Sequence, residues 1–202
     1  MKKLILAGIL LLIVTLQPHA QSFNGGIKAG MVVSQIAGDG FSGFNKVGLN
    51  GGFFVQYHVK PAVSLQMELA YIQKGSAHNL NPDDPASINY LLRMNYIELP
   101  VLIQYHLNPL VFEVGLSMDF LAGQMEEINN QPNDQGDAWR KLNVASVIGL
   151  QYRLNKKWSA SIRSINSINS IRKESVPLNV RRYSKNYGAF NDVIAVSLLF
   201  YI

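Results

Sequence analysis

In this 202-residue sequence the two residues best placed to do chemistry together are the carboxylates Glu98 and Asp119. Each sits in a run where apolar and polar residues alternate, and Asn108-Pro109 joins the two runs. If Asn108 and Pro109 form a two-residue turn, pairing across it sets Glu98 directly opposite Asp119 on the polar face. Carboxylates at cross-strand distance repel, so they need a cation between them, or they form a dyad suited to acid–base work. Glu68 falls at a similar height, and Lys28, Lys46, Lys74, Arg153 and Arg163 occupy polar-face positions of their own runs. The plainer expectation is a salt-bridged interior plug of Glu68, Glu98, Glu113, Asp119, Arg153 and Arg163, with Glu113 beside Arg153. Charges in a closed interior must pair. No nucleophile stands near a histidine, which weighs against catalysis. His58 and His106 lie on polar faces next to turns and are expected to hydrogen-bond within the plug, whereas His78 is expected in a loop. There is no cysteine, no metal-ligand spacing and no implied cofactor. "GDGFSG" at Gly38–Gly43 matches G-x-G-x-x-G, but the residues after it alternate like a strand, so the helix that motif requires is missing.

The elements that position these residues are strands. In "KVGLNGGFFVQYHV", Lys46–Val59, the residues Val47, Leu49, Phe53, Val55, Tyr57 and Val59 share one face. Similar faces run through Val63–Tyr71, Ile97–Leu107, Leu110–Phe120, Leu142–Leu154 and Ile194–Ile202. With a glycine-rich run at Gly25–Gln35 and an irregular one from Trp158 to Ile168, eight strands of about ten to sixteen residues are expected, against ~5–6 in most globular domains. Tight connections at Lys60-Pro61, Asn108-Pro109 and Asn155–Lys157 alternate with long polar ones around Gly38–Asn45, Ala77–Tyr90, Gly123–Arg140 and Arg172–Asn186. This is the pattern of an all-β, eight-stranded antiparallel up-and-down transmembrane β-barrel, with both termini on the short-turn, periplasmic side.

Three strands end alike, in "QYHVKP", "QYHLNP" and "QYRLNK". Their Tyr57, Tyr105 and Tyr152, with Trp158 opening the next strand, belong to the apolar face at one height, as an aromatic girdle at a membrane boundary would. An apolar face pointing inward would instead make a soluble lipocalin-like carrier. The strand lengths, the tyrosines gathered at one level, and a polar face rich in Gly, Ala and Ser favour lipid outside.

Residues 1–20, "MKKLILAGILLLIVTLQPHA", have a charged start, an apolar core and Ala20 at the end, as a cleaved secretory signal peptide does. The barrel domain is then 21–202. Removing Lys2 and Lys3 from 18 basic residues leaves 16 against 13 acidic ones, a charge of +3 that gives no reason to expect nucleic acid. No later stretch reaches the ~18 unbroken apolar residues of a helical span.

"GIKAG" at Gly26–Gly30, "YIQKG" at Tyr71–Gly75, "YIELP" at Tyr96–Pro100 and "EVGLSMDFLAG" at Glu113–Gly123 resemble the PorT-like outer-membrane barrel family across nearly the whole mature chain. The resemblance implies an eight-stranded barrel of the Bacteroidetes outer membrane and brings no catalytic residues. One member of that family is needed for protein secretion. Function is therefore expected in the loops. The third carries Glu126, Glu127, Asp134 and Asp137; the fourth carries Arg172, Lys173, Arg181, Arg182 and Lys185 against Glu174. The basic loop suits lipopolysaccharide phosphates, or a protein partner that reads both loops. The expected protein is a monomer inserted by the outer-membrane assembly machinery, with a structural, adhesive or partner-binding role. The alternatives are an accessory of a secretion apparatus, a lipid-modifying enzyme using the inward carboxylates, and the soluble carrier.

Overall fold

Residues alternating at period two can bury one face only if the sheet has an inside, and this sheet makes one by closing on itself. The computed structural model describes residues 23–41, 43–79, 88–133, 138–173, 180–182 and 186–202. The expected leader, together with Asp134, Asp137, Glu174 and Lys185, lies outside the described residues. Eight long strands form the wall: β1 (Phe23–Ala37), β2 (Lys46–Lys60), β3 (Val63–His78), β4 (Tyr90–Leu107), β5 (Leu110–Ile128), β6 (Leu142–Arg153), β7 (Trp158–Ser167) and β8 (Phe190–Tyr201). Each pairs antiparallel with the next, and β8 returns to β1 in register from Gly26↔Tyr201 to Ala37↔Phe190. Closure leaves no unpaired edge. Among the described residues there is no helix.

The strands run from 10 residues in β7 to 19 in β5, beyond the expected upper length. The excess belongs to β4 and β5, which continue past a bulge where Asn95 pairs with Gly123 but Tyr96 with Leu121. The extra residue, Ala122, switches the parity of β5, so that Glu126 faces inward like Asp119. His78 ends β3 instead of lying in a loop, and its ring stacks on Phe41 at 4.9 Å. The irregular seventh strand resolves cleanly, with Ser159, Ser161, Arg163, Ile165 and Ser167 inward. Gly38, Gly40 and Gly43 all take positive φ in the first long loop, which explains the glycine spacing of "GDGFSG" without a nucleotide.

The inside has two storeys. Toward the tight turns it holds amides and charges; toward the long loops it holds an apolar cluster with Val32, Ile36, Ile72, Leu92, Met94, Val147, Ile165 and Val193. Ile72, which breaks the polar alternation of β3 in the sequence, is a fully buried member of that cluster. The outside is reversed. Phe53, Val55, Leu69, Ile103, Val114, Leu116, Ile148 and Leu198 stand exposed around the wall. An apolar band of that extent is a lipid-facing surface, since water would drive such chains together.

Leu116, 53 % exposed in the middle of that band, tests the assignment. Leu116→Arg is expected to destabilise the folded barrel by about 2–4 kcal/mol in vesicles, as a charge at mid-bilayer does. Urea unfolding in phospholipid vesicles measures this, and a negligible change would place the band outside the hydrocarbon.

Candidate functional site

The expected carboxylate pair exists. The Asn108-Pro109 turn brings Leu107 opposite Leu110 and, further along the same ladder, Glu98 opposite Asp119. Lys74 of β3 reaches between them. Its Nζ lies 2.6 Å from Glu98 Oε1 and 2.8 Å from Asp119 Oδ2, and 5.4 Å from the centre of the Tyr96 ring. All three charged side chains are at most 2 % exposed. The Lys74 ammonium fills the position where a reacting group would have to sit, so the arrangement neutralises charge and presents none of it to a substrate.

A second cluster lies nearer the tight turns. Arg163 of β7 grips Glu113 with Nε at 2.7 Å from Oε2 and Nη2 at 3.1 Å from Oε1, and its Nη1 is 2.8 Å from Glu68 Oε1. Lys28 pairs with Glu68 from the other side. One sequence expectation is corrected here: the partner of Glu113 is Arg163, not Arg153, while Glu68, expected near the height of the Glu98–Asp119 pair, makes its contacts in this cluster. The register supplies the reason: Glu113 pairs with Gly149, and Gly149 in turn with Arg163. A glycine between them opens the passage. A Cβ on Gly149 would come within 2.7 Å of Arg163 Cγ and 2.9 Å of Glu113 Oε2.

Below the charges comes an amide layer. Gln104 Nε2 donates to Gln66 Oε1 (3.0 Å) and Glu113 Oε1 (2.7 Å), and Gln66 Nε2 donates to Glu68 Oε1 (2.6 Å). His106 continues the layer to the tight-turn mouth. It lies 2.7 Å from Ser64 Oγ, 3.0 Å from Arg153 Nη2, and stacks on His58 at 5.3 Å. Sequence parity alone had placed Lys74 and Lys28 on the polar face but could not select them from the inward cations. Lys46, equally available, bonds the Val47 carbonyl and Gln73 among the described residues.

On the outer wall Tyr57, Tyr105, Tyr152 and Trp158 all stand exposed at the tight-turn end. Phe23 packs on Tyr57 at 4.8 Å and Phe200 on Trp158 at 4.9 Å, while Tyr105 pairs with Phe112.

At the opposite end the third and fourth long loops bind each other. Trp139 bridges to Arg172, Arg140 N donates to the Ile171 carbonyl and Lys173 N to the Ala138 carbonyl. The Arg172 guanidinium lies 4.4 Å over the Trp139 ring and 3.7 Å from Glu126. Arg182 pairs with Asp192 at 2.8 Å and covers Phe190 at 4.8 Å. Two of the expected lipopolysaccharide ligands, Arg172 and Arg182, are therefore paired with carboxylates of the barrel's own strands. Lys173 and Arg181 remain exposed on this face. In the first loop, burial pushes the Asp39 carboxyl above its usual range, although the Phe41 amide donates to it at 2.9 Å.

Lys74→Met removes the cation from between two buried carboxylates and is expected to destabilise the barrel by about 3–5 kcal/mol. The triple variant Lys74→Met, Glu98→Gln, Asp119→Asn should recover most of that loss, as read by equilibrium unfolding; an unchanged single variant would mean that the cluster is not closed to water. Gly149→Val is expected to cost about 1–3 kcal/mol by overpacking the gap through which Arg163 reaches Glu113.

Known proteins agree with this architecture. A model of the family described as "Outer membrane protein beta-barrel domain" matches residues 18–173. No curated protein sequence matches the chain. Among solved structures, Neisserial surface protein A is similar with a TM-score of 0.56 at 7 % identity, covering 87 % of this chain and 96 % of that one. The attachment invasion locus protein Ail of Yersinia pestis follows at a TM-score of 0.48 and 11 % identity, covering 90 % of this chain and 99 % of Ail. At such identity the first likeness speaks for the fold alone. With a closed wall, an apolar exterior and a family match over most of its length, the chain belongs to the outer membrane protein β-barrel domain family and is an integral protein of the outer membrane.

Proposed function

We propose that this protein is a non-catalytic display barrel whose joined third and fourth loops form a platform for a partner outside the membrane. The observation that carries the reading is the contrast between the two ends of the buried network. The lumen is filled by Lys28, Lys74, Arg163 and their carboxylates, each at most 5 % exposed, which supports neither solute conduction nor catalysis. The platform, by contrast, is held by backbone bonds, an ion pair and a cation–π contact, and keeps Lys173 and Arg181 exposed. A prearranged surface binds without the entropy cost of ordering its loops. The girdle residues Tyr57, Tyr105, Tyr152 and Trp158 then lie at the periplasmic boundary, with both termini in the periplasm and the platform outward. Assembly machinery inserts the chain, which works as a monomer.

The partner chemistry that fits Lys173 and Arg181 is anionic, as lipopolysaccharide phosphates are. The motifs shared with the PorT-like family support a second occupant, a protein of a secretion apparatus. The soluble-carrier reading needs an apolar cavity, whereas the apolar storey here is packed by its own side chains. The test is binding of lipopolysaccharide to the purified barrel in nanodiscs, together with mild crosslinking in cells. Lys173→Glu with Arg181→Glu is expected to weaken lipopolysaccharide binding about tenfold, each lost solvent-exposed ion pair being worth roughly 0.2–1 kcal/mol. Binding that survives the double variant, or an enzymatic activity lost in Glu98→Gln with the barrel intact, would overturn this reading; a crosslinked envelope protein would assign the platform to secretion.

A further inference from the structure

The charges of the chain are unevenly placed. Lys60, Arg153, Lys156 and Lys157 stand at the tight-turn end, and among the described residues no Asp or Glu accompanies them. The nearest carboxylate, Glu113, lies deeper and is gripped by Arg163. The other interior carboxylates are held by Lys28, Lys74 and Arg163, and the remaining acidic residues among those described, Asp39, Glu126, Glu127 and Asp192, belong to the long-loop end. Among the described residues, the tight-turn mouth thus gathers basic side chains with no acidic side chain beside them.

A cavity of about 170 Å³ opens at that mouth, lined by His58, Arg153, Lys156 and Ser159. Asn24, Asn155 and Tyr201 complete it. That exceeds the ~30 Å³ share of one water several-fold, so there is room for a small ion with part of its hydration. The hydrogen-bonding groups around it are biased toward donation. Asn155 Oδ1 is occupied by the Lys157 and Trp158 amides at 2.8 and 3.0 Å, which leaves the side-chain NH2 as its remaining group. Tyr201 accepts from Gln151 Nε2 at 2.7 Å and keeps its own O–H to give. The buried Ser159 hydroxyl lies beside the Tyr201 hydroxyl, so that a hydrogen bond between the two still leaves one O–H to give. Arg153 spends one Nη2–H on His106 Nδ1, which fixes the guanidinium at the rim.

We propose that this mouth is an oxyanion-binding site, with the Arg153 fork and the Lys156 ammonium supplying the charge and Asn155, Ser159 and Tyr201 the neutral donors. The ligand is a phosphate or carboxylate group. It arrives either on a soluble molecule entering the mouth or on an anionic lipid headgroup folded over the rim. The site stands apart from the loop platform and holds whether or not that platform binds lipopolysaccharide.

The experiment is amide NMR of the full mature chain in nanodiscs, with three preparations compared. Phosphatidylcholine discs alone are the reference, the same discs receive inorganic phosphate, and a third set contains phosphatidylglycerol. Saturable shifts confined to Asn24, Asn155, Ser159 and Tyr201 are expected. Arg153→Gln should weaken the response at least tenfold, and Lys156→Gln, at an exposed turn where folding is not at risk, severalfold. A response to phosphate assigns a soluble anion and a response to phosphatidylglycerol alone assigns the headgroup; either supports the site. Absence of a response to both, or shifts unchanged in both variants, overturns it.

Discussion

A backbone that crosses hydrocarbon must satisfy all of its N–H and C=O groups within the protein, because the bilayer offers no water to do so. For strands this demands a closed sheet, and every other feature here depends on that closure. The β1–β8 ladder from Gly26↔Tyr201 to Ala37↔Phe190 removes the last free edge. Closing only eight strands makes the lumen so narrow that side chains must fill it. Once filled, it leaves little open space along its length, and the chain's larger openings lie toward its ends.

Filling a lumen with charges is feasible because each carboxylate finds a cation from another strand. Lys74 spans from β3 to acids on β4 and β5, and Arg163 on β7 holds Glu113 of β5 and Glu68 of β3. Except for Lys74–Glu98, these pairs tie strands that share no ladder. A buried ion pair is a weak contributor to stability compared with apolar packing, but removing one partner strands the other. The network therefore specifies which strands face each other across the lumen. The apolar storey near the long loops supplies the packing that the charges do not.

The two mouths differ in character. At the long-loop end cations and carboxylates are mixed, and those that touch are internally paired, as Arg172 with Glu126 and Arg182 with Asp192. Their work is to hold the loops in one shape over the closed apolar storey. At the tight-turn end the turns are too short to fold over the mouth, so Arg153 and Lys156 stay beside an open cavity. Loop length, set by chain connectivity, thus decides which end is covered.

Much of this was legible in the residues themselves. Period-two alternation, the repeated tyrosine endings and the alternation of short with long connections specified eight strands, the inward faces of all but the irregular seventh, and even the Glu98–Asp119 pairing, since strand geometry propagates register from a two-residue turn. His78 was misread because a strand end and a loop have the same polar composition. The partner of Glu113 was also misassigned, since neither parity nor turn geometry tells how far the barrel staggers between β5 and β7, or that Gly149 leaves a gap for a long side chain. The selection of Lys74 over Lys46, the docking of the third loop on the fourth, and the cavity beside Arg153 came from tertiary structure alone. The physical reason is one of range. Alternation and turns act between neighbours in sequence or ladder, whereas contacts across a lumen or between loops depend on the diameter, tilt and stagger of the whole closed sheet.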